Sequence, residues 1–141
     1  DEPWDSPHNI KLLDQMPPIF KSPNSTSTES GKTNYVLAVG KDTVFPNFEP
    51  VKVPSTSSLT IALVEVDDPH AVPWTKPDDY DVKNLPKGLA GGAGLFNVAD
   101  FDGSVRSLPI DLDGDLLKAL FSTDNDQHGA MKAQFYNQLF Q

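Results

Sequence analysis

The chain has 141 residues, no cysteine, and 20 Asp plus Glu against 11 Lys plus Arg, for a formal net charge of −9. That is the size of one ordinary domain, able to bury most of its apolar surface unaided. Its few cations are not clustered, which excludes a nucleic-acid backbone or an anionic lipid surface as a natural partner. The absence of cysteine removes any disulfide, thiol nucleophile or thiolate metal site. No apolar run approaches the roughly 20 residues that span a bilayer, and no signal peptide is present. The first residues, Asp1-Glu2-Pro3-Trp4, begin in mid-pattern without Met, which suggests that a segment has been removed ahead of them.

In chain order, Ser6-Pro7 predicts a helix start, a hydroxyl N-cap followed by Pro at the first helical position. Ile10, Leu13 and Met16 follow at helical spacing until Pro17-Pro18 stops the run. Residues 21–32 are rich in Ser and Thr and read as an exposed loop. Residues 34–39 read as a strand, and 59–66 as the strongest strand of the chain. Pro, Asp and Gly dominate 67–94, predicting a long irregular excursion over the surface. Residues 95–108 read as a β-hairpin around Asp102-Gly103, a pair suited to a two-residue type I′ turn. Asp113 can cap a helix using Leu116, Leu117 and Leu120. A last helix over 128–140 would put Met131, Phe135 and Leu139 on one face. There are no internal repeats, and 1–141 reads as a single globular domain.

Several segments occur together in order: Pro3-Trp4-Asp5-Ser6-Pro7-His8-Asn9, Thr33-Asn34-Tyr35, Val39-Gly40 with Phe45-Pro46, and the 59–66 strand ending in Glu65-Val66. Then come Ala71-Val72-Pro73-Trp74-Thr75-Lys76-Pro77 and Phe96-Asn97-Val98 through Asp102-Gly103-Ser104-Val105-Arg106. In this set the chain resembles the bacterial prepilin-type, processing-associated domain family, whose motif is a His, nine residues, then Asp-Gly. Members usually carry a pilin-like methylation segment and a long apolar helix before an exported globular part. The resemblance implies that this chain is that globular part, extracytoplasmic and membrane-anchored in the full-length protein. Two positions depart from the family: Gly92 stands where the motif has His, and Ser22-Pro23 where many members have Cys-Pro. No ligand or catalytic role of that His carries over.

Candidate chemistry is sparse. Gly31-Lys32-Thr33 has the ending of a phosphate loop, but Thr26 occupies the required Gly position and a strand follows, not a helix. The glycines at 88, 91, 92 and 94 precede a strand and spell no dinucleotide fingerprint. Asp111, Asp113 and Asp115 alternate like the opening of a calcium loop, yet Leu116 and Ser122 replace the Gly and Glu of an EF-hand. They read as helix-capping carboxylates, with a looser calcium site as the alternative. Glu65 shares a period-two face with Leu59, Ile61 and Leu63 and so points toward the core. Its expected work is to tie down a loop, with donors from 67–74 or Arg106, the alternative being a general acid or base. His8, His70 and His128 have no helical pairing for zinc, and no Ser sits in a nucleophile elbow. Trp74 either pins the long loop to the sheet or offers a platform for sugar or peptide.

The expected fold is α+β: an antiparallel sheet of 34–39, 59–66 and the hairpin, with short peripheral helices and long loops, similar to a pilin globular head. The expected function is non-enzymatic, a head domain meeting other protein subunits of a pilus-like or secretion assembly, without cofactor. The alternative is an extracellular carbohydrate- or solute-binding module built on the loop around Trp74. Glu65, Trp74, Asn97, Asp102 and Gly103 are the structural or motif residues of that reading.

Overall fold

The structure is a computed structural model that describes residues 2–46, 59–90 and 92–139. Its fold is α+β. Among the described residues seven strands form two sheets: β1 (Lys32–Thr33), β2 (Tyr35–Val39), β3 (Ile61–Glu65), β4 (Val72–Pro73), β5 (Tyr80–Asp81), β6 (Leu95–Asp100) and β7 (Val105–Pro109). The larger sheet runs β5-β2-β3-β6-β7, and β1 pairs with β4 in a separate two-stranded ribbon. Helices α1 (Gly114–Phe121) and α2 (Asn125–Leu139) follow the last strand.

The aliphatic and β-branched residues of β2, β3 and β6 build the centre, in antiparallel register Val36↔Val64 and Val64↔Val98. These three valines are buried with Ala38, Ile61, Phe96 and Leu108, against Leu117, Leu120, Phe121 and Tyr136 of the helices. Alternation sends Leu37, Leu63 and Ala99 to the other face, where they are half-buried. Truncating Phe96 or Phe121, both essentially inaccessible, would cost about 3–5 kcal/mol through lost burial and the cavity left behind.

The sheet is mixed, whereas a purely antiparallel one was expected. β5 joins β2 in parallel, with Ala38↔Tyr80 and Val39↔Asp81, so the 67–94 excursion supplies an edge strand and the ribbon strand β4. Tyr80 anchors this return: its ring is in the core and its hydroxyl donates to the Lys87 carbonyl at 2.8 Å. A two-residue strand is too short to show any period, which is why composition alone read as loop.

Asp102-Gly103 does form the hairpin end, but by a different turn. Asp100 N donates to Ser104 O and Gly103 N to Asp100 O, both at 2.9 Å, enclosing the three residues Phe101, Asp102 and Gly103. Only Gly103 of these has positive φ, +87°. That is a type I turn closed by a left-handed glycine, whereas a type I′ turn would need positive φ at Asp102 too. Asp102 contributes its carboxylate, accepting from Ser104 N at 2.9 Å.

The helices keep the expected Asp113 cap and differ from expectation in the first helix and in the start and buried face of the last. The N-terminal run is a 3₁₀ helix over Asn9–Gln15 with no buried residue, entered through Ser6 Oγ accepting from Asn9 N at 3.1 Å. Asp113 caps α1, accepting from the amides of Asp115 and Leu116 at 3.0 and 3.1 Å. α2 begins at Asn125, three residues before the expected start, because Asp124 accepts from Gln127 N at 3.1 Å. Its buried face carries Lys132 and Tyr136, with Phe135 partly buried, while Met131 is exposed. The Leu139 side chain and Phe140 lie outside the described set.

Candidate functional site

The sheet face opposite the helices carries two adjoining rows. Tyr35, Glu65, Asn97 and Ser107 form a polar row by register, and Leu37, Leu63, Ala99 and Val105 an apolar one. Glu65 lies on this face, not with Ile61. An irregularity between Ile61 and Leu63 matches them to Asp100 and Ala99, which point to opposite sides, so the simple period-two placement of Glu65 fails across that bulge.

Glu65 is nevertheless 1 % exposed, because the segment that begins at Ser22 folds over it. Its carboxylate accepts from the Ser22 hydroxyl, from Asn97 N at 3.1 Å and from Asn97 Nδ2 at 2.7 Å. Ser107 Oγ donates to Asn97 Oδ1 at 2.6 Å, extending the chain of bonds to β7. The donors are therefore not Arg106 or the 67–74 stretch. Arg106 pairs with Val98, one residue out of phase with Ser107, and so faces the helices. Across from Glu65, the Tyr35 phenol is pushed up by its own burial and then by the Glu65 charge.

Asp68 completes the clamp on the covering loop. It accepts from the amides of Thr26 and Ser27, both at 2.9 Å, and from Asn34 Nδ2 at 3.1 Å. The Ser25 hydroxyl beside it, with Asn34 and Thr26, holds its carboxyl down to about 2. Residues 21–32 are therefore fastened at both ends, Ser22 and Asn34 being fully buried.

Trp74 pins, but what it pins is the N-terminal segment. Its indole N–H donates to Leu12 O at 3.1 Å, its ring stacks on Phe20 at 5.8 Å between centroids, and its amide donates to Gly31 O at 2.9 Å. Gly31, at φ +70°, has Leu13 O only 2.7 Å from where a Cβ would sit, so a side chain there would push the segment away. Lys32-Thr33 continues as strand β1, so no helix N-terminus stands behind that glycine to hold a phosphate.

On the helix-covered face lies a buried polar group that the sequence reading missed. Arg106 Nη2 sits 2.8 Å from Asp100 Oδ2, and the guanidinium lies 4.0 Å from the Tyr136 ring centroid. Tyr136 donates to Asp100 Oδ1 at 3.4 Å. Lys132, 1 % exposed, donates to Thr60 Oγ1 at 2.9 Å and to the Ser122 carbonyl. Burial lowers the Lys132 ammonium to about 8, against the pull of Asp100 and Asp124. Burial also raises Asp100, with Arg106 opposing, and raises Tyr136. The i, i+4 spacing of Lys132 and Tyr136 and the inward phase of Arg106 were the available signals.

The remaining predicted residues stay apart from these clusters. Asp113 is committed to its cap, and among the described residues no group of three or more His, Asp or Glu is placed to hold a metal. His70 contacts Asp67, His8 lies 3.6 Å from Glu2, and His128 lines a groove of about 780 Å³ between the 40–43 turn and the α1–α2 junction. Val82, Leu85, Phe121 and Met131 give that groove apolar walls, and Asp115 is the one predicted acidic residue on it. Gly92 stands in the turn that launches β6. Among the described residues no helix is long and apolar enough to cross a membrane. Comparison with known proteins finds no matching family model, curated protein or solved structure.

Proposed function

We propose that the chain is a non-enzymatic, extracytoplasmic head domain of a pilin-like or pseudopilin-like protein that works through contacts with other subunits of a surface or secretion assembly. The supporting observation is how the two kinds of residue are used. The buried ionisable groups Glu65, Asp100 and Lys132 are engaged with neighbours inside the fold, whereas apolar side chains stand outside it. Leu37, Leu63 and Ala99 are half-buried on the sheet face away from the helices and Val105 beside them is 74 % exposed; Ile10, Leu12, Ile19 and Phe20 are exposed in the N-terminal turns. Exposed apolar surface of this kind suits protein contact. The binding-module alternative loses support at Trp74, whose N–H and one ring face are taken up internally.

The gene sequence upstream of Asp1 tests the reading. A positively charged leader with a cleavage site and then a continuous apolar helix is the expected result. An ordinary signal peptide or an unrelated domain in that place would overturn it.

A further inference from the structure

β7 is one edge of the five-stranded sheet. Asp100 and Ser104 form a hydrogen-bonded pair, and Ile110 N donates to Gly94 O at 3.0 Å at the other end of the hairpin. Alternation between those limits makes Val98↔Arg106 and Phe96↔Leu108 the bonded pairs. The N–H and C=O of Val105 and Ser107 therefore point off the sheet, and among the described residues nothing pairs with them. Pro109 adds a carbonyl but no donor. The exposed Val105 side chain ends the apolar row and Ser107 ends the polar one, so an added strand would continue both rows.

Charge selects what can sit there. Asp102 stands at the tip before β7, and Asp111 and Asp113 follow its end; all three are exposed. A second copy pairing antiparallel through Val105 and Ser107 would bring its Asp102 against Asp111 or Asp113, between molecules of net charge −9. An extended strand with a cation at each end meets the same carboxylates favourably.

We propose that β7 takes an extended segment of a partner protein by strand addition, a segment with an apolar and a hydroxyl side chain two residues apart on the face that continues the Val105 and Ser107 rows, and with Lys or Arg at both ends. This rests on the reading above only in treating protein contact as the work of the chain. The mode is the addition of a strand to an open edge, with main-chain bonds for affinity and alternate side chains for choice.

The test is an NMR titration of the whole chain with the capped heptapeptide Lys-Thr-Thr-Val-Val-Thr-Lys, which in antiparallel pairing sets its third residue, a threonine, beside Ser107 and its fifth, a valine, beside Val105. Saturable shifts and slowed exchange at the Val105 and Ser107 amides are expected, at peptide concentrations up to about 1 mM. Ser107→Pro, which removes one outward donor from an edge strand that tolerates proline, should weaken binding at least about tenfold. The same peptide N-methylated at its fifth residue, the valine that faces Val105, should bind as poorly to the unaltered chain, a control that holds even if the proline variant does not fold. A version with Glu at both ends should not bind. Absence of shifts at Val105 and Ser107 would overturn the proposal, as would equal binding of the Glu-ended peptide. Concentration-dependent dimerisation through this edge would overturn it in favour of a second copy. A silent edge in a protein whose gene does encode the apolar helix would remove strand addition and leave the head-domain reading; binding in a protein without that helix would do the reverse.

Discussion

On the helix-covered face of the sheet Asp100 meets a guanidinium, a phenol and, nearby, an ammonium; on the opposite face Glu65 accepts from a serine hydroxyl and the amide groups of Asn97. Both carboxylates are buried and both belong to the central strands. One is held by opposite charge and the other by neutral donors. The difference follows from how each face is covered. A helix can deliver long side chains such as Lys132 and Tyr136 one turn apart, while a loop delivers short ones such as Ser22 and its own backbone. A charge pair can be removed as a pair, whereas a carboxylate bonded to a main-chain N–H cannot be relieved of that donor.

The largest effect should come from Asp100→Asn, about 3–4 kcal/mol of stability in urea unfolding, because the Arg106 guanidinium keeps its burial and loses its carboxylate. The double variant Asp100→Leu with Arg106→Met should recover most of that loss, as apolar replacement of a buried pair commonly does. No recovery in the double variant would mean that Asp100 serves Tyr136 more than Arg106. Glu65→Gln should cost about 2 kcal/mol, because one accepting oxygen becomes an NH2 donor facing the Ser22 hydroxyl or the donors of Asn97. Here the pairwise cure should fail: Ser22→Ala with Glu65→Leu still leaves the Asn97 N–H buried without an acceptor, so the double variant should be no better than the single one. Equal recovery on both faces would erase the distinction.

The two faces were also unequally legible in the sequence. Glu65 stood out because a carboxylate at alternation distance from Leu63 must be explained, and its burial was anticipated although its direction was not. The bulge after Ile61 reverses the phase, and nothing local in Ile-Ala-Leu-Val-Glu marks it. The hairpin was legible because Asp-Gly is a strong local signal, yet the turn type depended on how the strands twist and close. Asp100 and Lys132 were passed over because each looks like an ordinary surface charge beside a turn or on a helix, and Arg106 was assigned to Glu65 on the opposite face. Their burial is decided by the crossing of α2 over β6 and β7, a long-range event. Ser22 as a donor to Glu65, 43 positions away, was likewise beyond any local pattern.

Lys132 gives the helix-covered face a pH response at mildly alkaline pH. Its ammonium is lowered to about 8 in the fold from 10.5. The unfolded chain therefore binds the proton more tightly, and stability should rise as pH increases from about 8 toward 10. The rise should then stop, since burial raises Tyr80 to about 12 and also raises Tyr136. Those phenols ionise first in the unfolded chain, which draws stability down above about pH 10. Lys132→Met should flatten the rise and, at pH 7, change stability by no more than about 2 kcal/mol, in the stabilising direction. Urea midpoints between pH 7 and 10 measure both. A wild-type curve that is flat over this range would mean that Thr60 Oγ1 and the Ser122 carbonyl compensate the buried charge fully.

The smallest expected effect tests whether the two faces are independent supports of one strand. β6 carries both Asp100 and Asn97, and it is launched from the Gly92–Gly94 turn, where Ala93 sits at φ +58°, ψ +33°. A left-handed residue with a Cβ costs about 1 kcal/mol, and glycine removes that strain while adding some unfolded-state entropy. Ala93→Gly should therefore stabilise by about 0.5 kcal/mol, read as a shift in urea midpoint without change in slope. Combined with Asp100→Asn or with Glu65→Gln, the gain should add within about 0.5 kcal/mol, because the turn shares no bonded partner with either carboxylate. Additivity with both would place the strain in the turn alone. A gain that vanishes only beside Glu65→Gln would instead tie the turn to the loop-covered face, through the start of β6 where Asn97 binds.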